Sequence, residues 1–306
     1  MTQASAEARY AAPMPSEPMP SEPIPSGPVP SEEDIARAAR RALQKRRVLV
    51  NVLRIGFLVV ILGGWELAAR VGWIDPFFFA MPSTIAAQIW EWLTEGTSQG
   101  PLWVQVLVTM EETVLGFLIG AVLGVVAGLM LGRDKLLADV FSIYIKIANS
   151  VPRVVLGSIF IIALGLGMAS KVALAVVMVF FVVFGNAFQG VREADRNLIA
   201  NARILGASKR QLMFSVVVPS ALSWILASLH VSFGFALVGA VVGEFLGSRQ
   251  GLGLLIATAQ GTFNAAGVFA AMIVLAVVAL VAEYLITLLE HRLVKWRPVA
   301  LADSGF

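Results

Sequence analysis

The sequence predicts an all-α, polytopic membrane protein with six transmembrane helices. Its 306 residues are 58% hydrophobic and only 14% charged, and the mean hydropathy is +0.82, well above the values of soluble domains. Apolar runs long enough to cross a bilayer recur along the chain. The charged residues gather between these runs, because an unpaired charge is costly in hydrocarbon.

Several function classes are excluded by what the sequence lacks. There is no cysteine, so disulfides and thiolate metal sites are impossible, and His230 and His291 are too far apart for a helical metal pair. The phosphate-binding Gly-x-x-x-x-Gly-Lys-Ser/Thr loop, a His-Glu-x-x-His helix and a nucleophile elbow are all missing. We therefore predict no enzyme activity and no cofactor bound by this chain. The small net charge of +3 indicates membrane topology rather than nucleic-acid binding.

The chain begins with two segments outside the membrane. Residues 1–30 repeat Pro, Ser and Glu and are predicted to form a disordered tail. Residues 31–49 form a predicted basic amphipathic helix, which is typical of a cytoplasmic membrane face, although a specific partner site is an open alternative. The membrane domain is predicted over residues 50–298, and residues 299–306 form a short tail.

The six predicted spans cover residues 50–69, 104–131, 140–164, 172–189, 220–243 and 268–289. Two connections contain further helices. In the first, Pro82 opens an amphipathic helix whose tryptophans suit the headgroup layer, which we place on the outer surface. In the last, the apolar run 252–257 is too short to cross a bilayer and is interpreted as a re-entrant or surface segment.

Glycines recur at every fourth position of the second span, at Gly116, Gly120, Gly124 and Gly128. Their spacing places them on one helix face, which predicts close packing against another helix. A pore lining is the alternative interpretation.

Polar residues within the apolar runs are candidates for a translocation path. In the third span, Asn149, Ser150 and Arg153 share a face beside a predicted kink at Pro152. Arg153 is placed to attract an anionic substrate, or its long side chain reaches the inner interface. Glu244 either pairs with a cation or forms part of an outer gate. Three further carboxylates near span ends are interpreted as interface residues: Glu111, Glu112 and Glu283.

The distribution of basic residues predicts the orientation. With six spans and a cytoplasmic amino terminus, only Arg70, Lys171 and Arg249 of the 23 Lys and Arg residues fall outside. This asymmetry favours cytoplasmic N- and C-termini. It also places residues 191–219 in the cytoplasm.

Residues 191–219, which we name the coupling segment, are the only long charged interruption between two apolar runs. Leu198, Ala202 and Leu205 recur at helical spacing, and Gly206 can close that helix in a left-handed conformation. Ser208 begins a capping box with Gln211, and a second helix follows, which Pro219 is expected to stop or kink. The pattern predicts a compact, rigid unit, with an ordinary solvated loop as the alternative.

The same segment resembles the cytoplasmic signature of binding-protein-dependent ABC importer permeases, which reads Glu-Ala-Ala, three residues, Gly, nine residues, Ile, one residue, Leu-Pro. The last alanine, the glycine and the proline match at Ala202, Gly206 and Pro219, whereas Ala200 replaces the glutamate and Asn201 the middle alanine. The resemblance covers residues 50–298 and is closest to the nitrate, sulfonate, taurine and bicarbonate branch. It is carried by the stretches NSVPRVVLG, SKVALAVVMVFFVVFGNAFQGV, ARILGASKRQL, GAVVGEF and GLGLLI.

The resemblance implies a type I ABC importer permease fold in a bacterial inner membrane. It implies that the coupling segment docks onto a separate ATP-binding subunit, which carries Mg-ATP. The implied coupling residues are Ala200, Asn201, Ala202, Arg203, Leu205, Gly206, Ala207, Ser208 and Pro219. The implied partners are two ATP-binding subunits, a second copy of the permease and an external substrate-binding protein.

The resemblance further implies a small, anionic substrate, which the external binding protein would select. The main alternative is a secondary transporter driven by an ion gradient through Glu244 and Glu283. Such transporters usually contain an internal repeat, and the two halves of this sequence do not match. A membrane-embedded enzyme would need a convergent catalytic set, which is missing.

Overall fold

A computed structural model describes residues 32–193 and 196–293 of the chain. These residues form helices and short connections without a β-strand, which confirms the all-α class. Within this part of the chain, five helices are long and apolar enough to cross a membrane, and the number is six if a bent helix pair is counted as one span. The predicted tails, residues 1–30 and 299–306, lie outside the described residues.

The first helix, α1 (Glu32–Arg70), joins the predicted basic helix and the predicted first span without a break. The chain divides into two compact units at Val60, within this helix. Residues of the first unit expose large apolar side chains, such as Phe57 with 69% of its surface accessible. Such a surface suits contact with lipid.

Two short helices follow, α2 (Pro76–Phe79) and α3 (Pro82–Thr94). Pro82 is the first residue of α3, as predicted, because its missing amide hydrogen would have no partner there. The Thr84 hydroxyl accepts a hydrogen bond from the Met81 amide at 3.1 Å and fixes the start of α3. On α3, Trp92 is buried and Trp90 exposed.

The centre of the bundle consists of α4 (Leu102–Arg133), α7 (Met168–Arg192) and α10 (Val218–Leu246). The glycine row of α4 packs on α7, which confirms the close-packing prediction. A Cβ atom on Gly120 would lie 2.8 Å from the carbonyl oxygen of Val176, and one on Gly124 would lie 2.9 Å from that of Phe180. All four glycines are buried against the neighbouring helix, so this face does not line an open pore.

The predicted kink at Pro152 is a break of the helix. It separates α5 (Lys135–Ser150) from a 3₁₀ turn (Arg153–Val155) and α6 (Leu156–Leu164), and the two parts meet at 73°. Proline cannot donate the backbone hydrogen bond that would continue α5. Asn149 and Ser150 lie at the end of α5, and Arg153 lies across the break in the 3₁₀ turn.

The coupling segment contains α8 (Arg196–Ile204), α9 (Lys209–Leu212) and a π-helical turn (Met213–Val217) that leads into α10. The predicted stop at Pro219 is corrected, because the candidate span runs through it from Arg210 to Leu246, and the alternative of a kink there stays a prediction. In the π turn the Val218 amide donates to the Met213 carbonyl, five residues earlier. The wider turn shifts the hydrogen-bond register just before proline, where a donor is missing.

The chain continues with α11 (Leu252–Gly261) and α12 (Ala265–Leu293). As predicted, α11 is too short to cross a bilayer. It packs in a core cluster with α3 and α12 whose buried members are Ala80, Ile85, Trp92, Leu102, Leu252, Leu255, Ala270 and Ala271. One boundary differs from the prediction: α7 begins at Met168, so Lys171 is a fully buried helical residue instead of part of an outer loop.

Candidate functional site

The end of α8 has the closed geometry that the sequence predicts. Gly206 has φ +83°, a conformation that glycine adopts without steric cost. The Ala207 amide donates to the Ala202 carbonyl, and the Gly206 amide donates to the Arg203 carbonyl, both at 3.0 Å. These two hydrogen bonds form a Schellman motif, which terminates the helix and fixes the chain direction after it.

The start of α9 is the predicted capping box. The Ser208 amide donates to Oε1 of Gln211 at 2.9 Å, and the Gln211 amide donates to Oγ of Ser208 at 3.3 Å. Each side chain therefore satisfies a backbone amide that the helix leaves free. With the Schellman motif two residues earlier, the turn between α8 and α9 is held by four hydrogen bonds.

The coupling segment presents apolar side chains on its surface. Ile204 and Leu205 are 83% and 87% exposed, and Leu198, on the same α8 face as Leu205, is also exposed. Between α8 and α9 lies a groove of about 280 Å³, lined by Ala202, Leu205, Gly206, Ala207, Gln211, Leu212, Ser215 and Val216. A charged segment that exposes leucine and isoleucine at its tip has a surface suited to a protein partner.

The other predicted coupling residues have different surroundings. Ala200 and Asn201 are exposed on α8. Arg203 lies on another face of α8 and lines a separate cavity. Pro219 is exposed in the first turn of α10. Within the coupling segment, residues 194 and 195 lie outside the described residues.

Three of the predicted path residues lie together at the break between α5 and α6. Arg153 donates from Nη2 to Oδ1 of Asn149 at 2.6 Å, and its guanidinium carbon lies 4.8 Å from the ring centroid of Phe181. Ser150 donates to the Lys146 carbonyl. The side chains of Asn149 and Arg153 thus form one polar group next to an aromatic ring.

The fourth path residue, Glu244, is fully buried near the end of α10 and contacts other residues. Its Oε1 accepts a hydrogen bond from the Thr109 hydroxyl, and its Oε2 accepts one from the Gly253 amide, both at 2.7 Å. Gly253 lies in the first turn of α11, so Glu244 caps that helix from a neighbouring one. The buried Lys171 side chain is a cation that interacts electrostatically with Glu244, and the predicted role in an outer gate is untested. The place of Glu244 in a translocation path stays a prediction.

Two α4 side chains extend this cap. Oε1 of Gln105 accepts from the Gly251 amide at 2.8 Å, and Oγ1 of Thr109 accepts from the Leu252 amide at 2.9 Å. Three successive amides at the start of α11 are therefore bound by side chains of α4 and α10. Such buried amides are costly to leave without a partner.

Glu112 and Lys171 complete a buried polar cluster with Gln105, Thr109 and Glu244. Glu112 is 2% exposed, which corrects its interpretation as an interface residue, whereas Glu111 and Glu283 are exposed as that interpretation requires. Lys171 donates to the Leu166 and Gly167 carbonyls. The sequence signal for the cluster was the i, i+4, i+7 spacing of residues 105, 109 and 112.

Among the described residues, no group of three or more His, Asp and Glu side chains is arranged to hold a metal ion.

The spans, the bent helix pair and the exposed coupling segment define a membrane permease of the type I ABC importer fold. A chain of the MetNI methionine ABC transporter in an inward-facing conformation superposes with a TM-score of 0.54. It shares 20% identity, over 63% of this chain and 94% of that one. A chain of an amino acid ABC transporter solved with histidines gives a TM-score of 0.50 at 21% identity, over 62% and 92% of the two chains.

The chain belongs to the family described as the inner membrane component of binding-protein-dependent transport systems, whose model matches residues 120–295. It is 32% identical to a putative aliphatic sulfonates transport permease, SsuC, of Bacillus subtilis, over 78% of this chain and 85% of the relative. It is 28% identical to the taurine transport permease TauC of Escherichia coli (80% and 89%) and 30% identical to the riboflavin permease RibX of Chloroflexus aurantiacus (78% and 88%). These matches confirm the predicted family and its sulfonate and taurine branch. The chain is a multi-pass inner-membrane transport permease.

Proposed function

We propose that the coupling segment docks onto a separate ATP-binding subunit, and that ATP hydrolysis there drives import through this permease. The observation that carries the proposal is the exposed apolar tip, Ile204 and Leu205, held on a turn that four hydrogen bonds fix. An apolar tip gains binding energy when a partner covers it. A turn fixed in this way transmits a displacement that a flexible loop would absorb.

The segment is joined to the membrane helices in a way that supports this role. From Lys209 the chain is helical through the π turn to Leu246, a distance of roughly 55 Å at 1.5 Å per residue. No loop interrupts this length. A displacement of the docked segment would therefore tilt α10, which packs on α4 and α7.

We further propose the assembly of two permease copies, two ATP-binding subunits that carry Mg-ATP, and an external substrate-binding protein. The family description, which names a binding-protein-dependent system, supports the last partner. The excess of basic residues on one side supports an orientation with both termini and the coupling segment in the cytoplasm.

The proposed substrate is a small anion of the sulfonate type. Relatives named for aliphatic sulfonates and taurine support it, and so does Arg153, a partly exposed residue at the bend of a helix pair that is long enough to span a membrane. The riboflavin permease among the relatives makes a larger substrate the alternative. Uptake of a labelled alkanesulfonate by vesicles that contain the whole transporter is expected to exceed uptake of labelled riboflavin, and the reverse would contradict the proposal.

Leu205→Ala tests docking. The side chain is 87% exposed, so the melting temperature is expected to stay unchanged. Loss of a leucine that a partner buries costs about 1.5 to 3 kcal/mol, so affinity for the ATP-binding subunit is expected to fall roughly tenfold or more. The measurement is binding of the purified ATP-binding subunit to the permease in lipid nanodiscs.

Leu136→Ala is the matched control, because Leu136 is also a largely exposed leucine and lies on α5, outside the coupling segment. Equal affinities for both variants and the unaltered protein would contradict docking through Leu205. Uptake that continues without ATP and follows an ion gradient would favour the secondary-transporter alternative.

A further inference from the structure

A second cavity, of about 640 Å³, lies between the end of α4 and the coupling segment. Three arginines from different elements line it: Arg133 ends α4, Arg203 lies in α8 and Arg210 lies in α9. The cavity lies on another face of α8 than Leu198 and Leu205, which are proposed for docking. The two spaces share one lining residue, Leu212, and otherwise have different walls.

The described lining residues carry a net positive charge, from three arginines and one carboxylate. Within the described part of the chain, none of the three arginines forms an ion pair. The one carboxylate among the described lining residues, Asp134, already accepts hydrogen bonds from the Leu136 and Leu137 amides at 2.9 and 3.3 Å. Arginine side chains bind anions with several oxygen acceptors, such as a phosphate, through charged and often bidentate hydrogen bonds.

The rest of the wall is apolar, with Ile199, Phe214 and Val217 among its residues. Phe214 keeps 65% of its surface exposed. A free phosphate ion would satisfy the arginines but leave this apolar surface uncovered. An amphiphile that carries a phosphate next to hydrocarbon matches both parts of the wall.

The position of the cavity also favours a lipid. It lies where α4 ends at Arg133, where α7 ends close to Val191, and where the span Arg210–Leu246 begins. α4 has 32 residues and is therefore about 48 Å long, close to the roughly 40–45 Å thickness of a bilayer with its headgroups, which places its end near the headgroup layer. We propose that this cavity binds the headgroup of an anionic phospholipid, with the phosphate on the arginines and the glycerol and upper acyl chains along Phe214. Bound lipid would contact α4 and the coupling segment together and so stabilise the orientation of the segment.

The test is a phospholipid titration of the purified full-length protein in detergent, followed by native mass spectrometry. Arg133→Gln with Arg210→Gln is expected to weaken binding of phosphatidylglycerol at least tenfold, because hydrogen bonds to charged groups are lost. Phosphatidylcholine is expected to bind weakly to both proteins. The matched control is Arg192→Gln, which removes a guanidinium near the end of α7 that lies 5.5 Å from the Phe188 ring and outside the cavity wall.

The control is expected to bind phosphatidylglycerol within about twofold of the unaltered protein. Equal losses in the control and the double variant would show a general charge effect and overturn the site. If inorganic phosphate and a short-chain phosphatidylglycerol compete equally well with bound phosphatidylglycerol, the cavity binds a soluble anion. That result overturns the proposal that it binds a lipid. If the variants still bind the lipid but no longer bind the ATP-binding subunit, the arginines belong to the binding surface for that subunit. That result also overturns the lipid proposal. Since Arg133 is exposed, the single variant Arg133→Gln provides the same readout if the double variant does not fold.

Discussion

At the residue scale, the most informative side chain is Glu244. A carboxylate at its depth in an apolar helix suggested transport, but the structure gives it two hydrogen bonds that hold the start of α11. Together with Gln105 and Thr109 it binds the three amides that the first turn of α11 leaves free. The buried cluster therefore joins α4, α10 and α11 by directed contacts, which fix their relative positions more specifically than apolar packing does.

Glu244→Ala is expected to destabilise the protein, because it leaves the Gly253 amide and the Thr109 hydroxyl without their acceptor in a buried site. Two lost hydrogen bonds to a charged group lower the free energy of unfolding by about 3 kcal/mol, which lowers the melting temperature by roughly 5 to 10 °C. Thermal unfolding of the detergent-solubilised protein measures this. Glu111→Ala is the control, since that carboxylate is exposed on α4, two residues from Thr109, and its loss is expected to shift the melting temperature by less than about 2 °C. A Glu244→Ala protein as stable as the control would contradict the capping role.

At the element scale, the glycine row of α4 decides how closely two spanning helices approach. A Cβ on Gly124 would lie 2.9 Å from the Phe180 carbonyl oxygen and 3.0 Å from the Phe184 amide nitrogen, both backbone atoms that cannot rotate away. Gly132 extends the row by one more turn, against Val191. Close approach of this kind provides van der Waals contact, on which helix association in a bilayer depends.

Gly124→Ala is therefore expected to separate α4 from α7 and to lower the free energy of unfolding by about 1 to 3 kcal/mol. Gly185→Ala on α7 is the matched control, because a Cβ there would meet no atom within 4 Å. This control is expected to raise the free energy of unfolding by up to about 1 kcal/mol, because alanine has a higher helix propensity than glycine. Thermal unfolding of both variants checks the pair, and equal shifts would contradict the packing role.

The elements that the sequence predicts correctly depend on local rules. Three helix ends depend only on residues within one or two turns. They are the end of α8 at Gly206, the start of α9 at the Ser208 capping box and the start of α3 at Pro82. The elements that it predicts wrongly depend on distant partners. Pro219 does not stop its helix, because a π turn before it accommodates the missing donor. Glu112 is buried, with Lys171 of α7 and Glu244 of α10 as neighbours. The capping of α11 by Gln105 joins positions 146 residues apart, which local periodicity does not indicate.

At the scale of the whole molecule, one continuous element links the coupling segment to the buried cluster. The helix from Lys209 to Leu246 begins beside the capping box and carries Glu244 close to its other end. A displacement at the first end would therefore reach α11 through the hydrogen bond between Glu244 and Gly253. We propose this as the route by which the ATP-binding subunit moves the spans, and it requires a stiff turn at Gly206.

The ratio of substrate imported to ATP hydrolysed, in vesicles that contain the whole transporter, tests this account most directly. Gly206→Val forces a β-branched residue toward φ +83°, so the turn between α8 and α9 is expected to rearrange, although a Cβ there meets no atom within 4 Å. Gly165→Val is the control, with φ +81° and the same free space at the end of α6. We expect the ratio to fall roughly tenfold or more for Gly206→Val, since a change of about 1.4 kcal/mol in the free energy that couples the two subunits changes the equilibrium between pore conformations tenfold. For the control we expect the ratio to stay within about twofold. An unaltered ratio in the Gly206→Val protein would contradict the account.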